Sequence, residues 1–183
     1  MLGGGASSRM GRDKASLDLD GTAMASRVAS ALQDCLSTVR IVLRPGQENP
    51  TDLTRIDDHH EARAPIVGVA AALEAAEAPA VLVAACDLPG LHARFLLALL
   101  AHVPAFGGAE IVAPRTSRGP EPLVAVYRRT LLPELGRRIE AGQLALQGLL
   151  RDCDTQLVDA AQLRGIDPDL AALRNVNRPE DLP

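Results

Sequence analysis

Short apolar runs alternate along the chain with longer stretches that read as helices. Val39 to Leu43 is rich in β-branched and apolar residues and predicts a strand. Val81 to Cys86 (VLVAAC) is apolar throughout, the mark of a strand buried on both faces. Ile111 to Ala113, Leu123 to Tyr127 and Gln156 to Val158 are further strands. Helices are predicted over Thr22 to Leu36, Ile66 to Ala76, Leu91 to His102 and Leu131 to Ala141, with a short one around Pro179 to Leu182. This alternation predicts an α/β fold, a mostly parallel sheet with helices on its faces, in a single domain spanning residues 1–183. Ligands of such sheets bind beyond the carboxyl ends of the strands. The loops after Leu2, Leu43, Cys86 and Ala113 are therefore where chemistry is expected. One irregularity stands at the start. Met1-Leu2 runs directly into Gly3-Gly4-Gly5, too short for a strand of ~5 residues. The expectation is that the natural chain begins upstream of Met1.

Composition narrows the function classes. A chain of 183 residues with 47% hydrophobic and 23% charged residues can bury a full core. Its only aromatic residues are Tyr127, Phe95 and Phe106, too few for a platform that stacks single-stranded nucleic acid. A formal net charge of −4 argues against a groove for duplex DNA. Neither a signal peptide nor a membrane span is visible, so a cytoplasmic location is expected, with no nucleic-acid or membrane partner. Cys35, Cys86 and Cys153 match no zinc or disulfide spacing, and His59, His60, His92 and His102 form no metal-ligand pattern. Of the 19 basic residues 18 are Arg, and the single lysine is Lys14, in a glycine-rich stretch.

That stretch is Leu2-Gly3-Gly4-Gly5-Ala6-Ser7-Ser8-Arg9-Met10-Gly11-Arg12-Asp13-Lys14. Glycines let backbone amides approach an anion without a Cβ in the way. Ser7 and Ser8 add hydroxyl donors, and Arg9 and Lys14 add positive charge. A lysine ammonium is a compact point charge, suited to a phosphoryl group in transfer. The loop matches neither a Walker A motif nor G-x-G-x-x-G.

The run LGGGASSRMGRDKASL resembles the signature L-A-G-G-x-S-x-R-M-G-x-D-K of Rossmann-like nucleotidyltransferases. Among these the chain is most similar to the molybdenum cofactor guanylyltransferases, with Gly3 where that family usually has Ala. The resemblance runs from Leu2 to Leu182, with five motifs in the family's order. It implies a three-layer Rossmann-like fold and the transfer of GMP from GTP to molybdopterin, releasing pyrophosphate. The nucleotide-binding residues it implies include Leu2, Gly3, Gly4, Gly5, Ser7 and Lys14, with Arg9 and Lys14 catalytic.

The second motif is Cys86-Asp87-Leu88-Pro89. An Asp at the end of a central strand faces the ligand crevice, and its carboxylate suits Mg²⁺, a hard cation that bridges nucleotide phosphates. The alternative is an Asp that caps a turn. The resemblance agrees with the metal: the family's C-D-x-P element carries its magnesium-binding aspartate, which would be Asp87. The third element, Asp57-Asp58 followed by Ala64-Pro65-Ile66-Val67-Gly68, resembles the family's D…G-P-L-A-G stretch. A carboxylate matches the adjacent N1–H and N2–H₂ donors of guanine, an edge that cytosine lacks. Asp57 is the first choice for that role and Asp58 the second. Gly68 would let the next helix approach the nucleotide.

The last two motifs are Pro120-Glu121-Pro122-Leu123 and Asn175-Val176-Asn177-Arg178-Pro179-Glu180-Asp181-Leu182. They resemble the family's later motifs and offer Glu121, Asn175 and Asn177 to the second substrate, although Asn before Pro-Glu-Asp is also a natural helix entry. Arg44, Arg115 and Arg118 are expected on strand-end loops. Other readings share the glycine loop and Asp87: a cytidylyltransferase for molybdopterin, a sugar-phosphate nucleotidyltransferase, or a catalytically weak nucleotide-binding protein. Transient partners that deliver molybdopterin, or a molybdoenzyme that receives the product, remain open.

Overall fold

A computed structural model describes residues 1–3, 18–19, 22–103 and 108–176. A short antiparallel pair, β1 (Asp18–Leu19) and β2 (Thr22–Ala23), leads into α1 (Met24–Gln33). Then follow β3 (Arg40–Leu43), β4 (Thr54–Asp57), α2 (Pro65–Glu74), β5 (Ala80–Ala84) and α3 (Ala93–Leu100). The second half holds β6 (Ile111–Thr116), β7 (Gly119–Pro120), β8 (Val124–Arg128), α4 (Leu132–Glu140), α5 (Leu146–Asp152), β9 (Thr155–Asp159) and α6 (Ala160–Leu163).

The three first residues join the sheet into one piece. Leu2 bridges in parallel to Val42 on one side and to Ala85 on the other. Its N–H donates to the Ala84 carbonyl at 2.8 Å, and its carbonyl accepts from Cys86 N–H at 3.1 Å. Gly3 N–H donates to Val42 O, and Val42 N–H to Met1 O, both at 2.9 Å. The order is thus β4-β3-stub-β5-β8-β6-β9, with β7 a hairpin on β6. β3 and β4 are parallel, as are β6 and β9, whereas β8 runs antiparallel between β5 and β6. From the stub the chain builds to one side through β3 and β4, then crosses to β5 on the other. That reversal is the topological switch point, where doubly wound sheets bind ligands.

Alternate residues of each strand feed opposite layers. Ile41, Leu82, Ala84, Val112 and Val124 pack with Val28 and Leu32 of α1 and Phe95 and Leu99 of α3. Val42, Val83, Ile111, Ala113 and Tyr127 pack with Ile66 and Leu73 of α2, Leu135 of α4 and Leu149 of α5. Tyr127 is fully buried; its hydroxyl donates to Pro122 O at 2.7 Å, and burial pushes the phenol's pKa up. Proline begins two helices, Pro65 in α2 and Pro133 in α4, where the missing N–H costs no bond.

Two expectations change. Asp57, where no strand was predicted, ends β4, and Asp58 follows it directly. β4 is an edge strand held by backbone pairing to β3 with polar side chains outward, so its sequence lacks an apolar run. Arg115 lies within β6 and pairs with Asp159 at 2.7 Å, not on a loop. The predicted helix over Pro179 to Leu182 lies outside the described residues. At the amino-terminal end of the sheet, away from the strand carboxyl ends, Met1, Arg40, Val42, Ala80 and Leu82 help line a cavity of about 610 Å³. The Met1 nitrogen donates to Arg40 O at 2.8 Å.

Candidate functional site

Gly3 ends the stub, Arg44 follows β3, Asp57 ends β4 with Asp58 next to it, and Asp87 follows β5. Parallel pairing puts all five at one edge of the sheet, beside the switch point. The structure therefore brings together the sequence-predicted Gly3, Asp57, Asp58 and Asp87. Gly4, Gly5, Ser7, Arg9, Lys14 and Asn177 lie outside the described residues.

Leu2 and Gly3 have already spent their N–H groups on the sheet ladder. Toward a ligand they retain only spare acceptor capacity at their carbonyls. Gly68 sits within α2, and a Cβ there would lie 3.0 Å from Leu2 Cδ2. Its small size makes room for the stub's side chain, a packing role that the sequence did not show.

The two candidate base readers differ sharply. Asp57 is exposed and pairs with Arg55 Nε at 2.6 Å. The same guanidinium donates to the carbonyls of Gln47 and Arg44. Asp58 is buried, its N–H donates to Leu43 O at 2.8 Å, and its Oδ1 accepts His60 N–H at 3.0 Å. No ion pair joins Asp58 to another of the described residues.

Sequence reasoning missed Gln47. Its Nε2 donates to Gly3 O at 3.0 Å and its Oε1 accepts Arg44 N–H at 3.2 Å. The loop that presents it turns at Arg44-Pro45-Gly46-Gln47, where Gln47 N–H donates to Arg44 O at 3.0 Å and Gly46 takes φ +79°. Pro then a left-handed Gly is the signature of a type II turn, and that dipeptide was the available signal. Arg44 Nη2 donates to Ala62 O at 2.7 Å, tying the loop before α2 to the same place.

Asp87 is half-buried, with its Oδ1 shielded from solvent. Its backbone carbonyl accepts Val176 N–H at 2.9 Å. No group of three or more His, Cys, Asp or Glu that could hold a metal occurs among the described residues. A single strand-end carboxylate fits Mg²⁺ in particular, which takes one or two protein carboxylates and fills its remaining positions with phosphates and water. Nearby, half-buried Glu121 accepts from Thr116 Oγ1 at 2.9 Å and from Arg118 Nη2 at 3.4 Å. Asn175 is exposed beside buried Val176.

This arrangement is similar to known proteins over its whole length. A molybdenum cofactor guanylyltransferase of Desulfosudis oleivorans is 29% identical over 100% of this chain and 90% of its own. The crystal structure of molybdopterin-guanine dinucleotide biosynthesis protein A from Archaeoglobus fulgidus matches with TM-score 0.80 and 27% identity, covering 98% of this chain and 92% of that one. A 2-C-methyl-D-erythritol 4-phosphate cytidylyltransferase from Thermus thermophilus shares the fold, with TM-score 0.66 at 18% identity, covering 92% and 89%. The family model described as the MobA-like NTP transferase domain matches residues 1–160. The chain belongs to the MobA-like NTP transferase family.

Proposed function

We propose that this chain transfers GMP from GTP to the terminal phosphate of molybdopterin and releases pyrophosphate. The observation that carries the reading is the placement of Asp87 and Asp58 on either side of the stub that launches the glycine loop. The attacking group is a phosphate monoester with its second pKa near ~6, so it is anionic at neutral pH and needs no general base. Catalysis then rests on positioning and on neutralising charge.

Asp87 would hold Mg²⁺, which supplies positive charge against the triphosphate when bound. The amides after Gly3 would cradle the phosphates, and Lys14 and Arg9 would offset charge that builds up in transfer. Asp58 is the better reader of guanine. Its buried carboxylate bonds to one amide and retains lone pairs for the N1–H and N2–H₂ donors, whereas the carboxylate of Asp57 is engaged by Arg55. Glu121, Asn175 and Asn177 would face the pterin substrate, with Glu121 held in place by Thr116 and Arg118. A cytoplasmic setting, and a protein that hands over molybdopterin or receives the product, belong to the same reading.

Calorimetry with GTP, CTP and ATP in the presence of Mg²⁺ tests it. GTP is expected to bind at least ~10-fold more tightly than CTP, the discrimination of one well-placed pair of hydrogen bonds. A preference for CTP would move the chain to cytidylyl transfer. Absence of nucleotide binding would overturn the enzyme reading.

A further inference from the structure

Three polar side chains are buried among the described residues: Asp58, Arg138 and Asp167. Asp58 belongs to the site. Arg138 is satisfied by Glu134 at 2.6 Å and Asp152 at 2.7 Å, far from it in the α4–α5 pair. Asp167 belongs to no motif, yet a carboxylate is costly to bury unless both its oxygens are used.

They are used on backbone. Oδ1 accepts Ala171 N–H at 3.0 Å and Oδ2 accepts Ala172 N–H at 2.8 Å. The Asp167 carbonyl accepts Leu170 N–H, also at 3.0 Å. These bonds close a tight turn in which Leu170 sits at φ 50°, ψ 40°, a left-handed conformation that side chains other than glycine adopt at a cost. The turn lies directly against the loop that carries Asp87. A Cβ on Gly90 would stand 2.4 Å from Ala171 O and 2.9 Å from Ala171 C, so the two backbones touch. Ala172 and Leu173 share one core with Leu88 and Leu91. Three residues further on, Val176 N–H donates to the Asp87 carbonyl at 2.9 Å. The Leu173 carbonyl also accepts from Arg118, which donates to Glu121.

We propose that Asp167 is a positioning residue for Asp87: its buried carboxylate shapes the turn that clamps the 87–90 loop, and so sets the carboxylate that takes the divalent cation. The inference rests on the reading of Asp87 as the metal-binding residue. Asp167 touches no substrate. It acts through Ala171 on Gly90 and through Val176 on Asp87. An Asn at 167 has the same shape but presents an NH₂ to one of the two amide donors, so it breaks one bond of the pair.

Mn²⁺ binding in the presence of GTP, followed by electron paramagnetic resonance, tests this on the full chain. Asp167→Asn and Gly90→Ala are expected to raise the Mn²⁺ Kd about 10-fold, the usual effect of disturbing a residue that orients a metal ligand. The Mg²⁺ concentration for half-maximal turnover should rise in parallel, while kcat at saturating Mg²⁺ stays within about twofold of wild type. Leu149→Ala, in the opposite layer, controls for lost stability and should leave the Mn²⁺ Kd within about twofold. If Asp167→Asn fails to fold, Gly90→Ala decides. Wild-type Mn²⁺ affinity in both variants, or an equal shift in Leu149→Ala, overturns the proposal. Asp87→Asn separates the two readings. If it loses Mn²⁺ while Asp167→Asn and Gly90→Ala keep it, only the clamp fails. If it keeps Mn²⁺, the assignment of Asp87 fails and the clamp with it.

Discussion

The two flanks of the switch point are held by different means. On the β4 side, Arg55 and Gln47 brace the Arg44–Gln47 turn, Asp57 and the Gly3 carbonyl with partly exposed side chains. Each such bond replaces a bond to water and contributes about 0.5–1.5 kcal/mol net. On the β5 side, the Asp87 loop is held by backbone against backbone at Gly90, by the Val176 amide and by buried Leu88 and Leu91. A shift of that loop would disturb the core around Leu88 and Leu91. The contrast suits the two proposed tasks. A flank that would read the base can tolerate adjustment, whereas one that would set a metal-binding carboxylate cannot.

The largest effects are expected where charge meets the triphosphate. Lys14→Ala should lower kcat by ~10²–10³-fold, as loss of one preorganised donor to a transition state does, with little change in thermal stability. Steady-state kinetics beside a melting curve check this. Unchanged turnover at saturating GTP and Mg²⁺ would break the idea that Lys14 does the charge work. Next comes the contrast within the β4 flank. Asp58→Ala should cut the preference for GTP over CTP by roughly 10–100-fold. Asp57→Ala should change it less than about threefold. The reverse ranking would restore Asp57 as the reader of the base.

Gln47→Ala sharpens the comparison between flanks. Removing a partly exposed brace should raise KM for GTP only a few-fold and cost about 1 kcal/mol in a denaturation curve. A larger loss than that of Gly90→Ala would invert the account. The smallest effect belongs to a region outside both flanks. Hydrogen bonds from Arg137 and then Arg138 hold the Glu134 carboxyl near pKa 2, below its ordinary 4.5. Because the folded pKa is the lower one, this contribution is full above pH 4.5 and is lost as pH falls toward 2. Glu134→Gln should therefore flatten the acid limb of a stability–pH profile and leave GTP affinity unchanged.

Much of this was legible in the residues themselves. The apolar run VLVAAC reads as a doubly buried strand, and its first four residues lie in β5, with Asp87 just beyond. The glycine loop and the C-D-L-P and N-V-N elements led to the right family. β4 escaped notice because an edge strand held by backbone pairing needs no apolar pattern. Its hidden register also left the choice between Asp57 and Asp58 open, since successive strand residues face opposite ways. The packing of Gly68 was hidden for a related reason: what a glycine makes room for, here Leu2, depends on a neighbour distant in sequence. Asp167 is one of several acids in a polar stretch, and only burial distinguishes it.

The most direct test of the central claim is product formation. Molybdopterin and GTP labelled at the α-phosphate, with Mg²⁺ and purified enzyme, should yield labelled guanine dinucleotide and an equal amount of pyrophosphate, with CTP at least ~10-fold poorer as donor. Pyrophosphate release equal with GTP and CTP, or no transfer of label to molybdopterin, would contradict it.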